Sequence, residues 1–220
     1  MFHHYANAPM RASHTPPTLN RALRLAALLV LALLLGACGR NTAPPQLEMA
    51  QLFPQARPLP SFQLRRSDGQ PLTRADFRGR YTLVFMGYTH CPDICPTTLL
   101  TLRHVWADLH RRGLNDKVAA VFVSVDPQRD TPRLLAAYVH GFDPAFQGAT
   151  GSPTQLQTLS QALMLPFRIV PGKDGHYAVD HSATLAIVGP DAEEIGVFMP
   201  PLHATPMAAD LARLIAWRSP

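Results

Sequence analysis

Cys91 and Cys95 stand four apart in "THCPDICP", residues 89–96, and the chain has one further cysteine, Cys38. Such a pair can staple a loop, exchange disulfides or hold a metal ion. Stapling is a weak reason for it, because so short a loop removes little entropy from the unfolded chain. Redox pairs of the Cys-x-x-Cys type have two intervening residues. Here there are three. The wider loop leaves room for an ion between the sulfurs. If Pro96 opens a helix, Cys95 lies at or near its N-cap. Free N–H groups and the helix dipole favour a thiolate there.

Two thiolates do not choose the metal. Sulfur suits Cu(I), zinc or an iron–sulfur cluster, and imidazole suits copper and zinc. Iron–sulfur clusters usually take four cysteines and structural zinc takes four nitrogen or sulfur ligands. Copper accepts three donors. Among the histidines, His3, His4 and His14 precede Cys38, and His104, His110, His140 and His203 read as helix-surface or helix-end residues. His90, His176 and His181 remain. His181 precedes the apolar run "SATLAIV", and Asp180 beside it could set its tautomer or orientation. Taken alone, His181 reads as a turn residue.

The elements that must position these residues follow from the apolar pattern. "YTLVFMGY" (81–88) and "VAAVFVSVD" (118–126) read as buried strands, and "SATLAIVGP" with "EIGVFMP" as a strand and its return. Leu99, Leu102, Trp106 and Leu109 share a helical face ahead of Gly113. "DTPRLLAAYVHG", residues 153–164 and "ATPMAADLARLIAWR" read as three more helices. "SFQLRRSDGQPL" reads as a hairpin around Asp68-Gly69. In "DPQRD" (126–130), Asp130 or Thr131 caps the following helix and Arg129 can pair with Asp126 or Asp130. Strand–helix alternation implies a parallel core, and the closing hairpin adds antiparallel strands. A cysteine motif between the first core strand and its helix predicts an α/β, thioredoxin-like fold. It has a mixed central sheet flanked by helices and an added N-terminal hairpin.

The N-terminus points to export. Arg21 and Arg24 precede an apolar run of 11 residues, "LAALLVLALLL" (25–35). That is shorter than the roughly 20 residues of a membrane span and fits a secretory signal. The run ends in Leu35-Gly36-Ala37-Cys38, which resembles a bacterial lipobox. The expected organisation is a lipoprotein signal peptide over 1–37, a Pro- and Gln-rich membrane tether over 38–58, and a folded domain over 59–220. Removing the signal's three arginines from the 20 basic residues leaves 17 against 15 acids. No basic cluster remains to argue for nucleic-acid binding. Beyond the inner membrane the compartment is oxidising. Cys91 and Cys95 must pair there, bind metal, or be kept reduced by a periplasmic thiol reductant.

Three stretches, "GYTHCPDICPTTL", "VSVDPQRDTP" and "VDHSATLAIVGP", together resemble the Sco/SenC family of copper chaperones over roughly residues 59–218. The resemblance implies a thioredoxin-like protein anchored in the cell envelope. It would deliver copper to the binuclear copper site of a cytochrome c oxidase subunit. It implies Cys91, Cys95 and His181 as ligands of Cu(I) or Cu(II), with Asp93 as a supporting acidic loop residue. It places His181 where oxidoreductases of this fold usually carry a cis-proline, which favours a ligand role over disulfide exchange. The lipobox stands in place of the family's frequent transmembrane anchor. Two other readings remain: a thiol–disulfide reductase serving the target subunit's cysteines, and a redox or copper sensor.

Replacing Cys38 by Ser should release the protein from membranes or block its processing. Mass spectrometry of the mature N-terminus checks this, and an unmodified chain starting elsewhere would refute lipidation.

Overall fold

The computed structural model describes residues 44–173 and 176–218. Cys38, the signal peptide and the first part of the tether lie outside the described residues. Two strands form the centre. β4 (Tyr81–Gly87) and β5 (Val118–Ser124) are parallel neighbours, and every residue of both is buried. Continuous burial explains why they read as unbroken apolar runs rather than alternating ones.

The other strands extend this pair both ways. The eight-stranded order is β1 (Ala50–Pro58), β10 (Glu193–Phe198), β9 (Leu185–Val188), β4, β5, β6 (Gln147–Thr150), β2 (Gln63–Arg66) and β3 (Pro71–Thr73). β6 (Gln147–Thr150) continues the parallel set beside β5. β9 (Leu185–Val188) and β10 (Glu193–Phe198) form the antiparallel return on the β4 side. β2 (Gln63–Arg66) and β3 (Pro71–Thr73) form the N-terminal hairpin at the far edge. Gly69 in its turn has φ of 86°, a left-handed conformation that glycine adopts without a Cβ penalty. Among the described residues four α-helices complete the layers: α1 (Ile94–Arg111), α2 (Pro132–His140), α3 (Pro153–Ala162) and α4 (Ala204–Arg218). α1 packs against α4, and α2 against β6. This is the mixed sheet flanked by helices that the sequence predicts.

The tether does not reach residue 58. Ala50–Pro58 forms β1, an edge strand antiparallel to β10. Pro54 and Pro58 disguise it in the sequence. Proline is tolerated on an edge, where one side of the backbone needs no partner, and the register shifts between Leu52 and Arg57. The strand's start is fixed from the far end of the chain. Asp210 of α4, fully buried, accepts the backbone N–H groups of Glu48 (2.9 Å), Met49 (2.7 Å) and Ala50 (2.9 Å). Arg213 donates to the same carboxylate at 2.9 Å.

A second sheet holds only β7 (Phe167–Pro171) and β8 (Tyr177–His181), paired antiparallel. Sequence reasoning also passed over this arm. Its residues are mostly half-buried or exposed, so no apolar run marks it.

Asp210→Ala should leave three backbone donors without their partner and destabilise the domain by about 1–3 kcal/mol. Urea denaturation measures the loss.

Candidate metal centre

The site forms where β4 ends. Gly87 is its last residue, and a Cβ there would lie 2.5 Å from Cys95 Sγ and 2.9 Å from the Phe122 ring. Only glycine lets the sulfur sit this close to the strand. Cys95 is accordingly fully buried. Sequence reasoning missed Gly87, although a glycine inside a strand pattern signals close approach.

α1 begins earlier than Pro96 suggests. Asp93 is the N-cap and Ile94 the first helical residue, which puts Cys95 inside the first turn. Its backbone N–H therefore needs a partner, and Cys91 Sγ accepts it at 3.4 Å. The helix terminus thus serves Cys91, the half-buried cysteine, more directly than Cys95. Burial dominates at Cys95 and pushes its thiol pKa far above the ordinary 9.0, with the nearby Cys91 and Asp130 adding to the rise. The expected thiolate at Cys95 is overturned for the metal-free protein. A helix terminus is worth about 0.3–1 kcal/mol, whereas taking an unpaired ion out of water costs several.

His181 ends β8 and meets the cysteines from across the fold. Its Nε2 lies 3.3 Å from Cys95 Sγ. Its ring meets Phe85 and Tyr88 edge-on, each 5.8 Å away between centroids. Burial lowers its pKa below the ordinary 6.5, so at neutral pH the imidazole is uncharged. Nδ1 lies 3.2 Å from the Ser182 carbonyl. A carbonyl can only accept, so the tautomer with its proton on Nδ1 satisfies this contact and leaves the Nε2 lone pair facing the Cys95 sulfur; the Met86 carbonyl is a second acceptor at the ring.

Asp180 does not orient His181. Successive residues of a strand point to opposite faces. Tyr177, Val179 and His181 face inward, while Ala178 and Asp180 are exposed. Asp180 instead pairs with Arg168, its cross-strand partner, at 3.2 Å. Its charge raises the His181 pKa, but burial outweighs it. Asp93 stands at the start of α1. Its carboxylate is exposed and meets the Thr97 hydroxyl at 3.5 Å.

The rival histidines lie elsewhere. His176 is exposed in the turn between β7 and β8, where its carbonyl accepts the Gly172 N–H at 2.8 Å. His90 is exposed, with Nδ1 3.1 Å from the Thr89 hydroxyl and 3.5 Å from Asp130 Oδ1. Among the described residues, one group of three could hold a metal: Cys91, Cys95 and His181, with donor atoms within 4.8 Å of one another. Metal–sulfur bonds of about 2.3 Å let one ion bridge two sulfurs up to about 4.6 Å apart, so the group fits a single ion after a small inward shift.

The model of one family, SCO1/SenC, matches residues 52–216. The chain belongs to the SCO1/SenC family. Among its relatives is a candidate copper-binding protein of Stutzerimonas stutzeri, 38% identical over 188 residues, 84% of this chain and 91% of that one. The mouse mitochondrial SCO2 homolog is 40% identical over 131 residues, which cover 59% of this chain and 51% of that protein. The chain thus matches about half the length of this mitochondrial relative. Bradyrhizobium japonicum ScoI, solved with copper bound, superposes with a TM-score of 0.65 at 36% identity, covering 71% of this chain and 98% of that one. Arabidopsis thaliana ScoI, also solved with copper bound, gives 0.66 at 29% identity over 71% and 98%.

Iodoacetamide at neutral pH should modify Cys91 on the order of tenfold faster than Cys95 or more, because reaction follows thiolate population and access. Peptide mass spectrometry after short labelling checks this. Equal rates would contradict the buried, protonated Cys95.

Proposed function

We propose that this protein is a copper metallochaperone that delivers copper to the binuclear copper site of cytochrome c oxidase during assembly. The observation that carries the reading is the donor set: two sulfurs and one uncharged imidazole nitrogen, converging from separate elements. The copper-bound relatives from Bradyrhizobium and Arabidopsis support the choice of metal.

Copper is the cargo in this reading, and each donor has a distinct part. Cys91 is accessible and meets the incoming ion first. Cys95 gives up its thiol proton as it becomes a ligand, so loading releases protons and weakens as pH falls. His181 Nε2, 3.3 Å from Cys95 Sγ, turns its lone pair to the ion. Two thiolates suffice for Cu(I), whereas Cu(II) prefers nitrogen donors. Release proceeds by ligand exchange with the oxidase subunit, and the half-buried Cys91 side is the face from which a partner's ligands enter. The lipid anchor on Cys38 holds the domain at the periplasmic face of the cell envelope. Among the described residues no helix is long and apolar enough to cross a membrane.

A reductase reading is favoured by one observation. An accessible Cys91 beside a buried Cys95 is an arrangement for attacking a target disulfide and closing a Cys91–Cys95 bond, with a periplasmic thiol reductant restoring both thiols. It needs no imidazole.

The reduced domain should bind one Cu(I), and the oxidised domain should bind far less. His181→Ala should weaken Cu(II) binding by on the order of 10- to 100-fold or more, by analogy with losses of supporting groups around metals, and keep dithiol reductase activity. A strain with His181→Ala as its only copy should fail to assemble active oxidase under copper limitation. Full oxidase activity in that strain would reject the chaperone reading and leave the reductase.

A further inference from the structure

β8 is not hydrogen-bonded into the eight-stranded sheet. Some other contact must hold it over the cysteine loop. One such contact is the bond of Tyr88 to the Val179 backbone, and another comes from "DPQRD", which a turn and a cap do not exhaust. The capping is done by Thr131 alone, whose side chain accepts the Leu134 N–H at 3.3 Å. Asp126 and Arg129 reach instead to Tyr177, the first residue of β8.

Tyr177 is held three ways. Its hydroxyl donates to Asp126 Oδ1 at 2.6 Å. Its carbonyl accepts from Arg129 Nη1 at 3.1 Å. Its ring lies under the Arg129 guanidinium, 3.7 Å from carbon to centroid. Arg129 Nε pairs with Asp126 Oδ2, which closes the set. Asp126 is 3% exposed, so this carboxylate sits out of water with both oxygens engaged. Breaking such a pair by removing one partner is costly because it leaves a buried charge alone. The guanidinium also stands 5.5 Å from the Tyr88 ring, which meets the His181 ring edge-on.

The strand carries this fixation to the metal centre. Four residues at about 3.3 Å each put His181 about 13 Å along β8 from Tyr177, on the same inward face. Between them Val179 is buried.

We infer that Asp126, Arg129 and Tyr177 are positioning residues for His181: their clamp on the start of β8 holds the imidazole within reach of Cys91 and Cys95. The inference rests on the copper-binding reading of that site, and it assigns "DPQRD" a part in metal selectivity. The clamp's hydrogen bonds go to the strand that carries the nitrogen donor, while the sulfurs lie on the loop and first turn of α1. Loosening it should therefore affect Cu(II), which needs nitrogen, far more than Cu(I).

The test compares Arg129→Gln and the milder Tyr177→Phe with the unaltered domain. Cu(II) affinity should fall on the order of 10- to 100-fold in Arg129→Gln, by less in Tyr177→Phe, and the thiolate-to-Cu(II) absorption should shift. Cu(I) affinity should change much less. In a His181→Ala background, Arg129→Gln should cause no further loss of Cu(II) binding, as expected for residues that act as one unit. In the metal-free protein, NMR of the His181 ring should show shifted or broadened signals in both variants. Unchanged Cu(II) affinity in both variants overturns the inference. So do equal losses of Cu(I) and Cu(II), or losses that add fully to His181→Ala. If the unaltered domain binds no copper, the copper reading fails, and the metal-free NMR alone decides whether the clamp places the imidazole.

Discussion

The packing of Cys95 Sγ into the notch at Gly87 is the contact on which the site depends. A sulfur can lie against a strand end only where no Cβ intrudes, and Gly87 supplies that gap. With Cys95 held there, the first turn of α1 is fixed, its amide finds Cys91 Sγ, and the inward face of β8 has a buried sulfur to meet. Each donor is therefore located by a different backbone constraint: a strand-end glycine, an orphan helix amide, and strand alternation.

Burial disfavours charge at two of the three donors. A protonated Cys95 and an uncharged His181 share a hydrogen bond, and burial drives both toward their neutral forms. This arrangement avoids placing unpaired ions out of water, at the cost of a proton that must leave before the sulfur can bind a metal. It also separates two functions that a more exposed pair would merge. Cys91 can react with partners, while Cys95 stays protected until an ion or a disulfide recruits it.

The turn after β5 ties the two halves together. Asp126 and Arg129 hold the arm that bears His181. Asp130, 1% exposed, accepts the Thr89 N–H at 2.9 Å, the Thr89 hydroxyl at 2.6 Å and the Ser124 hydroxyl at 2.6 Å. Thr89 leads directly into the cysteine loop. One short segment thus fixes both the loop with the sulfurs and the strand with the nitrogen. Buried carboxylates with every oxygen engaged are tolerated for that reason. The same device recurs at Asp210, which ties β1 to α4.

Some of this was written in the sequence. Strands buried on both faces are unbroken apolar runs, so β4, β5 and β9 were legible, and local capping chemistry marked α2. Cysteine spacing named two donors, because residues four apart on a loop and first turn cannot be far apart. Residues alone could not choose among His90, His176 and His181. That choice depends on which strand folds over the loop, a contact 86 residues away in sequence. Resemblance pointed to His181, and the fold brought that residue to the sulfurs. Asp180 failed as its partner because alternation turns neighbours to opposite faces, a fact invisible until residue 181 was known to end a strand. Local rules made Cys95 a thiolate at a helix start. Burial reversed that, and burial is a property of the whole fold. β1 stayed hidden for the same reason: its prolines describe a tether, and only pairing with β10 and the carboxylate of Asp210 make it a strand.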